Sequence, residues 1–314
     1  MNIVIAGTHY SVTAALMYIS RAFKRRADCN VITVGPYPGL WMPWTTKEGV
    51  TGMKMPDSYD QQPDILLPYD GGIQTAPISY IESRLPDGFV PDLWLDVNAG
   101  FSLDGRPKNG IRARFLTDPH TGLRGLYNNN AHYYDYTFNP QQNYSQAGEI
   151  YLPYAADSEW HSRIPDLEIL YDVALIGNIY SHRISLMNKL AGNFRTFFQL
   201  GPAQEDARRI YSQSFIGINW SSLDDLTARV FELMSLGCVP LVNRVSRLGE
   251  LFEENVHFIG FSSEDEAINK VVEMMARPEA AKKVAKTAQE FIITGKHTWD
   301  DRVATILQTC KLTE

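Results

Sequence analysis

Between Ser221 and Val242 the chain sets Asp225, Arg229 and Glu232 at i, i+4 and i+7, a spacing that would bring both signs of charge to one helix face. Leu226, Val230 and Leu233 take another face, and Gly237 stops the pattern before Val239-Pro-Leu-Val242, which reads as a buried strand. A helix start exposes backbone N–H groups. With an arginine one turn in and a carboxylate further along, it can hold a phosphate and a sugar hydroxyl. The same residues also make an ordinary amphipathic helix with an Asp–Arg pair, and spacing alone leaves both readings open.

The first half offers a second group. Arg112-Ala-Arg-Phe-Leu-Thr-Asp118-Pro-His120 reads as a strand delivering polar groups at its carboxyl end, where side chains point into a crevice, so Asp118 and His120 are acid/base candidates. An Asp-Pro-His is also a common turn. His9, just after the apolar run that ends at Gly7, is the third candidate. Only Gly7 stands where a G-x-G-x-x-G fingerprint needs three glycines, so no nicotinamide or flavin cofactor is expected. Pro36-Tyr-Pro-Gly-Leu-Trp41-Met-Pro-Trp44 is proline-broken and aromatic; it reads as a loop whose tryptophans either stack on a ligand or plug a cleft.

These groups need a scaffold. Short β-branched runs alternate with helical stretches: a strand from Asn2, a helix from Val12 to Phe23, a strand from Cys29 to Gly35, and further strands near Ile65, Leu93, Arg112, Tyr133 and Ile150. After Pro165 the pattern restarts with Asp172-Val-Ala-Leu-Ile-Gly177, a helix, and strands near Phe194, Ser214, Val239 and His257. Ser263 with Glu266 makes a capping box, and Pro278 opens a helix ended by Gly295. Two α/β halves imply a cleft between them.

A chain of 314 residues exceeds what one hydrophobic core usually holds, and 44% hydrophobic with 21% charged residues is ordinary for a globular protein. The net charge of −7 argues against non-specific duplex binding. Cys29, Cys238 and Cys310 lie far apart, which suits a reducing compartment better than a disulfide framework. No basic and apolar leader precedes the first strand and no apolar run reaches membrane-spanning length, so a cytoplasmic protein is expected.

Taken together, Val173-Ala-Leu-Ile-Gly-Asn178 with Arg183, Arg229-x-Phe-Glu232, Gly237-Cys-Val-Pro240 and His297-Thr-Trp-Asp-Asp-Arg302 resemble the GT-B glycosyltransferases of group-1 type, in particular their compact spore-maturation-like branch. The resemblance covers residues 150 to 310 in motif and order and the N-terminal half in pattern only. It implies an α/β protein of two Rossmann-like doubly wound domains facing a cleft: an acceptor domain over 1–160, a nucleotide-sugar domain over 161–295, and a helix over 296–314 that crosses back to the first. The family's E-x7-E element maps onto Asp224 and Glu232. It implies that Glu232 binds the donor ribose and that Asp224, one methylene shorter than the family's glutamate, lies by the transferred sugar. Its diphosphate clamp maps onto the turn at Gly177, Asn178 and Arg183. Asn178 replaces one of the clamp's cations, a place Arg229 can fill.

The resemblance thus implies transfer of a hexose or pentose from a nucleoside diphosphate sugar, uridine-linked, with retention of configuration, and with Asp118, His120 and His9 towards the acceptor. No Asp-x-Asp closes a strand, as a metal-dependent enzyme of this kind would need, so neither a metal nor any cofactor beyond the donor is expected. Trp41, Trp44, Arg106, Lys108, Arg112 and Arg114 allow a modified nucleic-acid base as acceptor, and equally a glycan, a lipid headgroup or a small metabolite. Two other readings remain open: a sugar-nucleotide-binding module without turnover, and a non-hydrolysing epimerase on the same fold.

Overall fold

The structure, a computed structural model, describes residues 1–9, 14–46, 49–54, 62–71, 74–98, 100–121, 124–178, 180–199 and 204–313. They divide into two compact units, Met1–Pro153 with Arg302–Glu314 and Tyr154–Asp301, where the sequence places its divisions near 160 and 295.

In the first unit the elements are β1 (Asn2–Ala6), α1 (Ala14–Lys24), β2 (Asn30–Pro36), β3 (Trp41–Thr46), β4 (Gly49–Lys54), β5 (Ile65–Leu67), β6 (Gln74–Pro77), α2 (Ile78–Glu82), β7 (Leu93–Asn98), β8 (Phe101–Asp104), β9 (Ile111–Leu116), α3 (Arg124–Asn129), β10 (Tyr136–Asn139) and β11 (Glu149–Tyr151). Seven of the strands form one parallel sheet in the order β11-β10-β9-β7-β1-β2-β5. A parallel strand is covered on both faces, which is why β1 is apolar without alternation and Ile3, Val4 and Ile5 are fully buried. Each such side chain contributes about 1.5–3 kcal/mol over its exposed state.

The Pro36–Trp44 stretch is not all loop. Trp41–Thr46 pairs antiparallel with Gly49–Lys54, Pro43 opposite Gly52. A ribbon of two strands leaves alternate N–H groups outside the ladder, so it tolerates a proline that a central strand would not. The side chains of Trp41 and Trp44 lie outside those described, as do residues 10–13. Tyr133, read as the start of a strand, closes a short 3-10 turn instead, and β10 begins at Tyr136.

The second unit carries β12 (Tyr171–Ile176), α4 (Ser181–Ala191), β13 (Thr196–Gln199), α5 (Gln204–Ser212), β14 (Ser214–Asn219), α6 (Ala228–Leu236), β15 (Val239–Asn243), α7 (Leu248–Leu251), β16 (Ile259–Phe261), α8 (Glu264–Ala276) and α9 (Pro278–Thr294). Its sheet is parallel, in the order β13-β12-β14-β15-β16. Val173, Leu175, Ile216, Ile218 and Leu241 pack on one face of it with Leu186, Met187 and Leu190 of α4 and Val271 of α8. The helix ends obey local chemistry. Ser263 accepts the Glu266 N–H at 3.2 Å, while the Glu266 carboxylate takes the N–H of Ser262 rather than that of Ser263. Gly237 ends α6 in the left-handed region at φ 69°, a turn that a side chain would strain.

The last helix, α10 (Trp299–Thr309), buries Trp299, Val303, Ile306 and Leu307, the apolar set its sequence shows. From Arg302 onward it belongs to the first unit, where the Arg302 guanidinium donates to the Pro153 carbonyl at 2.8 Å. No described helix is long and apolar enough to cross a membrane.

Candidate functional site

In the second sheet, β12 is followed outward on one side by β13 and on the other by β14, β15 and β16. The strand order therefore reverses between β12 and β14, and the turns after these two strands diverge to leave a crevice at their carboxyl ends, where α/β sheets bind ligands. A pocket of ≈ 150 Å³ lies there, lined among others by Gly177 after β12, Asn219 and Trp220 at the end of β14, Thr227 and Arg229 at the start of α6, and Arg183 of α4. No carboxylate is among its lining residues.

Arg183 is held in place by the two turns it spans. Its guanidinium donates to the Trp220 carbonyl from Nε at 2.9 Å and from Nη2, and to the Asn178 carbonyl from Nη1 at 2.9 Å. A guanidinium has five N–H donors, so these three bonds leave two for a ligand. Gly177 makes room for it: a Cβ at this residue, whose φ is 153°, would meet Nη1 at 3.2 Å. Burial, and after it the like charge of Arg229, pull Arg183 below the ordinary guanidinium value. Arg183 has no ion pair among the described residues, and its charge in a partly dry site beside Arg229 is a standing cost that an anion relieves.

The N-terminus of α6 adds to this. Thr227 stands at the cap position, but its hydroxyl donates to Asn219 Oδ1 at 3.0 Å, so no side chain caps the helix. The positive end of the peptide dipoles is thereby left facing the pocket that Thr227 and Arg229 line.

Of the residues singled out from sequence, Gly177, Arg183 and Arg229 meet at this pocket. Asn178 is exposed and joins through its carbonyl, while its amide reaches the Tyr180 hydroxyl at 3.5 Å. Glu232 lies one turn into α6, 6% exposed, with Oε2 2.9 Å from Arg229 Nη1 and Oε1 3.9 Å from His161 Nε2. The His161 ring is oriented by the Asp157 N–H, which donates to Nδ1 at 2.8 Å. Asp225 does not share the helix face of Arg229 and Glu232. It lies in the turn before α6, because the helix starts only at Ala228, and it accepts the hydroxyl of Ser221. Asp224 is in the same turn, exposed, and accepts the N–H of Ser246 at 2.6 Å, which ties the turn to the segment after β15.

Sequence reasoning passed over the aromatic group beside Arg183. Tyr180 and His182 stack with ring centroids 5.8 Å apart, His182 meets Trp220 edge-on at 4.8 Å, and the Arg183 guanidinium lies 5.0 Å from the Tyr180 ring. Burial, then Arg183, keep His182 below its ordinary value. The signal was the run Tyr180-Ser-His182-Arg183 straight after a strand and glycine.

In the first unit, Asp118 is exposed at the end of β9 in a left-handed turn, φ 47°, and its carbonyl accepts from Thr121. His120 is half-buried with its ring 5.3 Å from that of Tyr144. His9 donates its N–H to the Pro36 carbonyl at 2.9 Å, and its buried Nε2 has no hydrogen-bond partner among the described residues. Burial drops its pKa to about 4, so it is neutral at pH 7. Two of the arginines that suggested a nucleic-acid surface are buried instead. Arg112 is fully buried against Asp96 at 3.2 Å, and Arg114 is 3% exposed and donates to Thr137, Tyr127 and Asn130. Arg106 pairs with Asp135 at 3.1 Å and Lys108 with Glu82 at 3.8 Å. Among the described residues no group of His, Cys, Asp and Glu has the arrangement of a metal site.

Residues 160–308 match a family model described as glycosyl transferase-like. No curated protein matches the chain. Among solved structures it is similar to the sucrose-phosphate synthase of Thermosynechococcus elongatus, at 11% identity and TM-score 0.62 over 99% of this chain and 98% of that one. It is also similar to the Anabaena protein HepE in complex with UDP-glucose, at 11% identity and TM-score 0.61 over 98% and 100% of the two chains. A UDP-N-acetylglucosamine 2-epimerase is similar at 11% identity and TM-score 0.56 over 98% and 94%. At such identities the likeness shows the fold, which is that of the two-domain GT-B proteins, as the sequence resemblance implied.

Proposed function

We propose that this protein is a group-1 glycosyltransferase of the spore-maturation-like branch that moves a sugar from a uridine diphosphate donor bound by its second unit to an acceptor bound by its first. The observation that carries the reading is the pocket at the strand-order reversal, where Arg183, without a carboxylate partner among the described residues, converges with Arg229, which also pairs with Glu232, and with the uncapped start of α6. It is supported by the glycosyltransferase-like match over the same residues and by a structural neighbour solved with UDP-glucose.

In this reading the bond between the anomeric carbon and the diphosphate oxygen breaks, and negative charge builds on the leaving diphosphate. Arg183 and Arg229 are fixed beforehand, so they stabilise that charge without reorganising and without a resident metal. Glu232 accepts from the ribose hydroxyls, and the stacked rings of Tyr180 and His182 with Trp220 supply an apolar wall for the donor. The acceptor hydroxyl attacks the anomeric carbon from the face the diphosphate leaves, which gives retention, and its proton passes to the departing diphosphate. Asp118, His120 and His9 serve the acceptor side, and His9, neutral with a pKa of about 4, does so as a weak base or hydrogen-bond acceptor. With Arg112 and Arg114 committed internally, a glycan or small metabolite fits the acceptor role better than a nucleic-acid base. A nucleoside diphosphate sugar is an intracellular metabolite, which fits action in the cytoplasm.

Titration with uridine diphosphate tests the reading. Arg183→Ala and Arg229→Ala should each weaken binding between about ten- and a hundredfold, the loss expected for hydrogen bonds to a charged group. Unchanged affinity in both variants would remove it. A panel of nucleoside diphosphate sugars then separates the other two readings: a transferase releases diphosphate from one donor, an epimerase isomerises the sugar without an acceptor, and a silent binder does neither while its Tm rises.

A further inference from the structure

A second cavity in the same unit is larger and shares no lining residue with the first. It holds ≈ 580 Å³ between the last turns of α8, the first half of α9 and the segment leading into β16. Since residues 255 and 256 precede β16 and Arg277 ends α8, it lies at the amino-terminal ends of the strands, opposite the crevice that Arg183 lines. Its volume falls in the range of about 300–1,000 Å³ typical of small-ligand sites.

The lining divides by chemistry. Val256, Ile259, Met274, Ala281 and Val284 make an apolar floor, and Lys270, Arg277 and Lys283 are its cations. Lys270 is paired at 3.1 Å with Glu273, the carboxylate of the lining, whereas Arg277 and Lys283, both exposed, have no ion pair among the described residues. Two unpaired cations at the rim of an apolar hollow stand out in a chain of net charge −7. An extended peptide adding to the sheet is a poor fit. β16 is the edge strand, but its middle residue is already covered, with the Arg244 guanidinium donating to the Gly260 carbonyl at 3.2 Å and the Glu254 carboxylate within 2.6 Å of where a Gly260 Cβ would stand.

From this geometry we infer that the cavity between α8 and α9 binds a soluble single-chain amphiphile, a hydrocarbon tail ended by a phosphate, with the tail on Ile259, Met274 and Val284 and the head against Arg277 and Lys283. The tail supplies affinity by apolar burial, and the rim cations select the head by charge. The site is independent of the donor pocket and of whether that pocket serves transfer.

Calorimetric titration of the full chain with dodecyl phosphate below its micelle concentration tests this. One saturable site is expected, with a neutral-headed dodecyl maltoside bound at least about fivefold more weakly and inorganic phosphate not measurably bound. Each methylene removed from the tail should weaken binding about fourfold. Arg277→Glu with Lys283→Glu, both at exposed positions, should weaken it about tenfold without changing the Tm, and Ala280→Trp, which fills the hollow, should abolish it. Saturating uridine diphosphate should leave the affinity unchanged. Binding that fails to saturate, ignores the head, survives both the charge reversal and Ala280→Trp, or is competed by uridine diphosphate would overturn the proposal.

Discussion

The two units begin alike, with an apolar parallel strand, a glycine and a helix, and their sheets reverse order beside that first strand, yet they spend their arginines in opposite ways. In the first unit Arg112 lies near the start of β9, fully buried. It donates to the carbonyls of Leu103 and Gly105 and to Asp96, which also takes the Tyr134 hydroxyl at 2.5 Å and the Leu103 N–H at 3.0 Å. In the second, Arg183 and Arg229 stand beyond the carboxyl ends of the strands; Arg229 shares Glu232 at 2.9 Å, while Arg183 has no carboxylate partner among the described residues. The first arrangement has its charge balanced by the protein, and at Arg183 the second does not. An arginine whose countercharge comes from the protein holds a fold together. One whose countercharge must come from outside marks a binding site.

Removing each kind of arginine tests that division. Arg112→Ala leaves Asp96 buried without its cation and should cost the first unit about 3–5 kcal/mol in urea denaturation, with affinity for uridine diphosphate unchanged wherever the protein is folded. Arg183→Ala should cost the second unit only about 1–2 kcal/mol, for the lost bonds to Trp220 and Asn178, while nucleotide binding falls by the larger factor. If both variants lost stability and affinity in equal measure, the distinction between the units would fail.

This distinction was only half visible in the sequence. The strand, glycine and helix pattern located both sheets, since parallel strands buried on two faces need unbroken apolar runs such as Ile3–Ile5 and Val173–Ile176. Arg183 and Arg229 were legible because a motif fixed their place relative to a strand end. Arg112 and Arg114 looked like a basic surface because position along a strand, not residue type, decides whether a guanidinium is inside; their partners Asp96 and Thr137 come from other strands. The α6 start was misplaced for a similar reason. Ser221 holds the turn that carries Asp225 through its hydroxyl and is itself fixed by a 2.7 Å bond from its N–H to Asn243 Oδ1, a residue 22 positions away that helical spacing cannot register.

Acid should separate the units next. His9 titrates at about 4 in the folded chain against 6.5 for the unperturbed group, because burial disfavours its charged form. Between those values the unfolded chain binds the extra proton, so stability is whole above pH 6.5 and is lost as pH falls towards 4. For this one residue the loss is about 2–3 kcal/mol at pH 4.5. His182 and His257 in the second unit shift the same way by burial but less far, so each contributes less to the acid dependence than His9. Hydrogen exchange resolved by unit should show strands β1 and β2 opening first on acidification, and His9→Gln should abolish about that much of the difference. Equal sensitivity in the variant would show that the histidine is not its source.

The smallest expected effect is also the most discriminating. Glu232 is claimed both as the partner of Arg229 and as the ribose acceptor, and a bare affinity change in Glu232→Gln mixes the two. Losing the carboxylate frees Arg229 for the diphosphate and strengthens binding, while losing the ribose bond weakens it. A cycle separates them: the parent and Glu232→Gln are each titrated with uridine diphosphate and with its 2′-deoxy and 3′-deoxy forms. The freed Arg229 acts on all three nucleotides alike and cancels in the difference, so a coupling of about 1 kcal/mol to either hydroxyl reports ribose recognition alone. A coupling of zero to both would return Glu232 to a purely internal role, like Asp96 beside Arg112, and would leave the donor site resting on its two arginines and the start of α6.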